Sequence, residues 1–163
     1  MASTTETKQK KMLILKSADN DEFEIEESVG VQSETIKNLV EDGFTFVPLP
    51  NVYTKALIKI IDYLKKHANK TDSNDEEIKT FDKDFVNTTF DDLFELVSAA
   101  NYLHISCLMN MLCQTIADRI KDKSPEAVRK IFHINCDYTP EEEAKIRKAN
   151  AQAFEGQFDE SLD

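Results

Sequence analysis

The sequence predicts an α+β protein in which a small mixed sheet is followed by helices and then by a terminal pair of helices. Two observations carry this prediction. Before residue 50, short apolar runs and alternating residues are typical of strands, whereas later apolar residues recur every three or four positions, as on helices. The 163 residues are 40% hydrophobic and include ten Phe, which suits one packed domain with an appendage.

Residues 12–15 and 23–25 are predicted to form a β-hairpin. The first stretch is a short apolar run, the second alternates apolar with polar residues, and residues 18–21 between them have turn chemistry. Strand periodicity returns at residues 44–47 and ends at Pro48, because proline cannot donate a ladder hydrogen bond. These stretches supply the small sheet.

The helices that follow are predicted from apolar spacing and from their terminal residues. Ser33 is a suitable N-cap for a helix that Gly43 ends, and residues 53–67 carry apolar side chains at helical spacing. Thr89, with Asp92 three residues later, opens a helix that is apolar on nearly all sides and is therefore expected to be central. A second long helix follows it closely and extends to about residue 120.

The terminal pair of helices begins at two capping signals, residues 124–125 and 139–142. The first helix is expected to run to about Phe132 and the second to reach Phe154. Few of their residues are apolar: Val128, Phe132, Ile134, Ile146 and Phe154. Such a set is too small for an independent core, which indicates an interface rather than a catalytic cleft.

Three segments are predicted to be flexible. Residues 1–11 are polar, residues 68–79 form an acidic loop with few apolar side chains, and residues 156–163 form an acidic tail that is expected to fray. The predicted domain boundaries therefore place the main domain at residues 12–121 and a helical extension at residues 122–155.

Charge and cysteine content restrict the function. Twenty Lys and Arg against 31 Asp and Glu give a net charge of −11, which argues against binding to nucleic acids or to an anionic membrane. We expect neither a signal peptide nor a membrane span. Three cysteines do not make a disulfide framework, so we expect reduced thiols that act as buried apolar fillers, and a reducing compartment. The expected partner is another protein.

The sequence patterns give little support to a metal site or a catalytic site. Two mixed pairs and a further thiol offer zinc ligands: His104, Cys107, His133, Cys136 and Cys113. Each pair combines one His with one Cys at a spacing that two Cys usually occupy, and no glycine shapes a loop around them. The acidic pattern at residues 72–83 lacks the glycine and the closing glutamate of a calcium loop. With three Gly in the chain, we expect no phosphate-binding loop, no enzyme, no metal, no cofactor and no small-molecule substrate.

An ordered set of motifs extends over about residues 12–154. They are VPLPNV at 47–52, LFEL at 93–96, AANYL at 99–103, CQTIA at 113–117, KSPE at 123–126, VRK at 128–130 and YTPEEE at 138–143. This order resembles the S-phase kinase-associated protein one family, and the low glycine content with Phe85 favours its plant-like branch. The resemblance implies a BTB/POZ domain, a small sheet packed with helices, that carries a two-helix C-terminal extension.

The resemblance also implies a function and its site residues. It implies a non-catalytic adaptor of SCF-type ubiquitin ligases, in the nucleus and cytoplasm, that bridges a cullin scaffold to F-box substrate receptors for ubiquitin-dependent degradation. Carried over by motif, Asn101 and Tyr102 would face the cullin. The F-box side would consist of Phe94, Val97, Cys113, Ile116, Ile120, Pro125, Val128, Phe132 and Ile134. From spacing alone, Tyr102 could instead pack inside the domain, and three others could be ordinary core: Phe94, Val97 and Ile116.

The chain departs from the family pattern at three places. Asp122 stands where glycine is common, Asn135-Cys136 precede Asp137 where Lys-Asn is common, and Gln152 stands where the family has tryptophan. Loss of an aromatic anchor at an interface can cost ~2 kcal/mol or more, although Phe154 could substitute. One alternative is therefore a diverged paralogue with narrow or weakened F-box binding. Another is a BTB self-association module outside a ligase, which the C-terminal extension disfavours.

Overall fold

The computed structural model describes residues 10–71 and 74–163. It divides into two compact units, of which the first ends at Gln114 and the second is Thr115–Asp163. The strands are β1 Met12–Lys16, β2 Glu22–Glu26 and β3 Phe46–Pro48. The helices are α1 Glu27–Gly30, α2 Glu34–Glu41, α3 Thr54–Ala68, α4 Asp75–Phe85, α5 Phe90–Tyr102, α6 Ser106–Ile120, α7 Pro125–Ile131, α8 Pro140–Ala149 and a 3₁₀ helix Ala151–Phe154. The division between the units falls inside α6, and the predicted boundary after residue 121 stays a prediction.

The sheet has the strand order β2-β1-β3, with β1 antiparallel to β2 and parallel to β3. The predicted hairpin and the mixed α+β class are confirmed. The register pairs Leu13 with Ile25 and Leu15 with Val47, and all four side chains are buried, because alternate residues of a strand share one face. The hairpin turn places Asn20 at φ 70°, a left-handed conformation that asparagine tolerates better than most residues.

The structure describes only the last two residues of the N-terminal segment that was predicted to be flexible. Residues 1–9 lie outside the described residues. The next two residues are tied to the sheet end, which corrects the prediction for them: the Lys10 ammonium is 2.6 Å from the Glu26 carboxylate, and the Lys11 carbonyl accepts from the Glu27 N–H at 2.9 Å.

The acidic segment at residues 68–79 differs from the flexible loop that the sequence predicted. Residues 75–79 form the first turns of α4, while residues 72–73 lie outside the described part of the chain. Ile78 is only 1% exposed and anchors the helix. The prediction is wrong here because acidic residues are favourable in the first turn of a helix, where they face the positive end of its dipole. Asp75 also pairs with Lys79, at 2.8 Å.

The central helix is α5, as predicted. Thr89 caps it by accepting a hydrogen bond from the Asp92 N–H at 3.3 Å. Its buried side chains come from several sides of the helix: Phe90, Leu93, Leu96, Ala99 and Ala100. α3 packs against it with Leu57, Ile60 and Leu64 fully buried.

The caps of the second unit are also confirmed. The Ser124 Oγ accepts from the Ala127 N–H at 3.1 Å, and Thr139 forms a reciprocal capping box with Glu142. The second terminal helix is shorter than predicted, since α8 ends at Ala149 and a separate 3₁₀ helix reaches Phe154. The acidic tail is not frayed, because the Asp159 N–H donates to the Asp122 carbonyl at 2.9 Å.

Two further observations concern the side chains and the helices. All three cysteines are free and exposed, so the expectation of buried thiol fillers is wrong. Within residues 10–71 and 74–163, no helix has the length and apolar character that crossing a bilayer requires.

Candidate protein-interaction surfaces

The end of α5 is held on the start of α2 by two hydroxyl groups. The Ser33 Oγ donates to the Leu103 carbonyl at 2.6 Å and also accepts from the Ile36 N–H, so one side chain caps α2 and ties it to α5. The Thr35 Oγ1 donates to the Tyr102 carbonyl at 2.9 Å. These bonds satisfy carbonyls that the end of a helix leaves without partners inside it. They position Tyr102 relative to α2.

Tyr102 lines an open depression of about 650 Å³. Its other lining residues come from α2, from the end of β3 and the segment after it, and from the turn after α5: Glu34, Thr35, Asn38, Leu39, Pro48, Pro50 and His104. Tyr102 is half-buried and Asn101 is exposed, so neither of the two residues that the resemblance placed on the cullin side is enclosed in the domain. The depression therefore presents an aromatic side chain beside polar ones.

His104 shapes the same surface and was not singled out for this role from the sequence. It has φ 49°, and its N–H donates to the Asn101 carbonyl at 3.1 Å, which turns the chain sharply after α5. Its Nδ1 lies 3.1 Å from the Thr35 Oγ1. The Ser33, Thr35 and His104 contacts join residues about 70 positions apart in the chain, so local sequence patterns do not reveal them.

A second depression, of about 520 Å³, lies between Tyr63, His67 and Cys107. The rings of Tyr63 and His67 stack with centroids 4.0 Å apart, and the His67 Nε2 is 2.8 Å from the Asp82 carboxylate on α4. Burial, with a smaller contribution from Asp82, raises the pKa of Tyr63 above its ordinary value. These contacts hold α4 on α3. They give Tyr63, His67 and Asp82 a structural role in this part of the fold.

The zinc pattern is not assembled in the described residues. Across residues 10–71 and 74–163 no three His, Cys, Asp or Glu side chains come together as metal ligands. Asp72, which began the calcium pattern, lies outside the described residues.

The predicted F-box residues of the first unit are Phe94, Val97 and Cys113. Phe94 and Val97 are half-buried and Cys113 is exposed, so none of them belongs to the buried core. Phe94 packs beside the buried Phe90, with ring centroids 6.0 Å apart. Phe94 and Val97 are therefore not fully buried core residues, as the ordinary-core interpretation would require.

The second unit carries the remaining predicted F-box residues. Those that are half-buried are Ile116, Ile120, Pro125, Val128 and Phe132. Ile134 is 56% exposed, whereas α7 buries only Ala127 and Ile131, one helical turn apart. This unit thus leaves most of its larger apolar side chains partly accessible.

Charged side chains connect α7 to α8. Arg129 is 3.3 Å from Glu143, and Arg147 contacts both Glu126 of α7 and Glu143 of α8. The Arg147 guanidinium also lies 4.9 Å from the centre of the Phe154 ring, a cation–π contact. The sequence indicated Phe154 as an aromatic side chain but gave no sign of the arginine that holds it.

The sequence matches known protein families over most of its length. A family model described as "Skp1 family, tetramerisation domain" matches residues 11–69, and one described as "Skp1 family, dimerisation domain" matches residues 106–153. Two similar proteins from Arabidopsis thaliana, SKP1-like protein 3 and SKP1-like protein 1A, are each 45% identical, over 90% and 89% of this chain and 98% of each relative. SKP1-like protein 1 of Oryza sativa subsp. japonica is 43% identical over 90% of this chain and 97% of the relative.

Proposed function

This chain belongs to the Skp1 family, and from that membership we propose that it is a non-catalytic adaptor of SCF-type ubiquitin ligases. In this role it bridges a cullin scaffold to F-box substrate receptors, whose substrates are then ubiquitinated and degraded. The observation that carries the proposal is the set of partly accessible apolar side chains in the second unit, which has few buried residues of its own. Such a surface favours a protein partner.

The proposed cullin-binding residues are Asn101 and Tyr102. A half-buried tyrosine in a depression is typical of the residues that dominate binding energy at protein interfaces, and the exposed Asn101 precedes it in the chain. The hydrogen bonds from Ser33 and Thr35 support this assignment, because a surface that is already ordered loses less entropy when a partner binds.

The proposed F-box-binding residues lie in both units. Phe94, Val97 and Cys113 are assigned in the first unit. The second unit contributes Ile116, Ile120, Pro125, Val128, Phe132 and Ile134. Their intermediate or full exposure supports the assignment, since side chains of this kind bury their remaining apolar area when a partner covers them. The proposal gives no residue a catalytic, cofactor-binding or metal-binding role.

The proposed location is the nucleus and cytoplasm. Three exposed, free cysteines fit a reducing compartment, because exposed thiols in an oxidising one tend to form disulfides. Fluorescence microscopy of the tagged protein in plant cells tests this location, and a signal confined to the secretory pathway would contradict it.

The adaptor role is tested by assembling the purified chain with a cullin N-terminal domain and a recombinant F-box domain. Size-exclusion chromatography with light scattering is expected to give the mass of a complex with one copy of each protein. Binding to the cullin without binding to several different F-box domains would favour a diverged paralogue, which the exposed Gln152 at the tryptophan position also favours. Self-association without either partner would favour a BTB oligomerisation module instead.

A further inference from the structure

Lys123 carries a buried charge at the turn before α7. Its side chain is only 1% exposed, and lysine is almost never fully buried unless its ammonium is paired. The Nζ donates to a carboxylate oxygen of Asp159 at 2.8 Å, and to the carbonyl and the Oγ of Ser161 at 2.7 and 2.9 Å. A longer contact, at 3.5 Å, reaches the Asp163 carbonyl. All four acceptors belong to residues 159–163, which we name the strap.

Backbone contacts fix the strap in one register. The Asp159 N–H donates to the Asp122 carbonyl at 2.9 Å, and residues 123 and 159 form a parallel bridge. The lysine ammonium and the Ser161 donors lower the pKa of Asp159 to about 2, so its carboxylate stays charged in mild acid that would protonate an ordinary aspartate. A charged pair, a backbone bridge and a hydroxyl bond therefore act together at one turn.

The strap also reaches the residue that begins α7. The Glu160 carboxylate accepts from the Ser124 Oγ at 2.7 Å, and the same Oγ caps α7 by accepting from the Ala127 N–H. A helix as short as α7, Pro125–Ile131, depends on its cap and its tertiary contacts, because helix nucleation is unfavourable. The strap thus stabilises the N-terminal end of this helix through Glu160 and the turn before it through Lys123.

We propose that the strap is a conformational device that keeps the α6–α7 turn and the start of α7 ordered, and so increases affinity for F-box partners. This second step rests on the function proposed above, in which Pro125 and Val128 of α7 contact the F-box. Without the strap, the Lys123 ammonium has to reach water, and the turn that carries it opens. The partner then has to order the start of α7 when it binds, which weakens binding.

The first test compares variants of the full chain by hydrogen exchange with mass spectrometry. Asp159→Ala combined with Ser161→Ala removes the two side-chain acceptors, and Lys123→Gln removes the ammonium. Each is expected to speed exchange over residues 121–128 by about tenfold, because local opening becomes more frequent. The matched controls are Glu155→Ala for the tail and Lys121→Gln for the turn, both at exposed positions. Unchanged exchange in the strap variants would overturn the proposal.

The second test measures binding of a recombinant F-box domain by isothermal titration calorimetry. The Asp159→Ala/Ser161→Ala variant is expected to bind about tenfold more weakly, with unchanged affinity for the cullin domain, whereas Glu155→Ala binds like the wild type. Faster exchange with equal or tighter F-box binding would show that the strap orders the turn but does not promote binding, which refutes the second step. If the wild type binds no F-box domain at all, the proposed function fails, and hydrogen exchange still decides whether the strap orders α7.

Discussion

Replacing Ile78 by alanine tests whether α4 is a packed helix. The side chain is 1% exposed, and burying an isoleucine contributes ~1.5–3 kcal/mol. The cavity left by truncation adds to that loss, and the measured cost of Ile→Ala in cores is ~2–5 kcal/mol. The lower part of this range applies here, because α4 can detach locally before the whole unit unfolds. We expect a loss of ~2–3 kcal/mol.

Urea unfolding followed by circular dichroism gives the change in free energy, and hydrogen exchange shows where it acts. Exchange over residues 75–85 is expected to rise by at least tenfold in the Ile78→Ala variant. Asp84→Ala is the matched control, since Asp84 lies on the same helix and is exposed. An unchanged urea midpoint with equally fast exchange in both variants would mean that this segment is a flexible loop, as the sequence alone had indicated.

Three further predictions concern the proposed interfaces and the strap. Asn101→Ala with Tyr102→Ala is expected to weaken cullin binding by ~2 kcal/mol or more without affecting F-box binding, which calorimetry with each partner would show. Gln152→Trp is expected to tighten F-box binding roughly tenfold, about 1.4 kcal/mol, by adding a large apolar side chain, and equal affinities would place residue 152 outside the interface. The folded-state pKa of Asp159, about 2, lies below its ordinary value of 3.8, so the stability that the Asp159 charge contributes is fully present above about pH 5 and is lost as the pH falls towards 2. The NMR chemical shift of the Asp159 carboxyl carbon, recorded across this pH range, measures this protonation. A titration midpoint near 3.8 would show that Lys123 does not hold the carboxylate.

The elements that the sequence predicted correctly depend on interactions between residues that are close together in the sequence. The hairpin follows from alternation and a turn, and the caps at Ser33, Thr89, Ser124 and Thr139 follow from hydroxyls that accept from the N–H three residues later. The proposed site residues came from ordered motifs, and their half-buried or exposed placement could not be obtained from apolar spacing. Spacing shows that a residue lies on an apolar face but not what covers that face.

The features that the sequence missed depend on partners far along the chain. Composition indicated that residues 75–79 cannot order themselves, yet Ile78 is buried and His67 of α3 pairs with Asp82 of α4. The tail was expected to fray because its own residues are polar, and the ammonium that orders it is 36 positions away. Whether an acidic segment is ordered or flexible therefore depends on whether a buried cation or an apolar anchor is available elsewhere in the fold.

The aromatic side chain that the family pattern leads one to expect near the end of α8 has a physical counterpart in Phe154. Gln152 is exposed, whereas Phe154 is half-buried and lies under the Arg147 guanidinium. Arg147 in turn contacts Glu126, next to Pro125 at the start of α7, so the aromatic ring, α7 and α8 are held by one arginine. Each exposed ion pair contributes little, ~0–1 kcal/mol, but two carboxylates and a ring that share one guanidinium restrict its rotamers together. This arrangement fits the expectation from the sequence that Phe154 substitutes for the missing tryptophan, and it places contacts from both Arg147 and the strap at the start of α7.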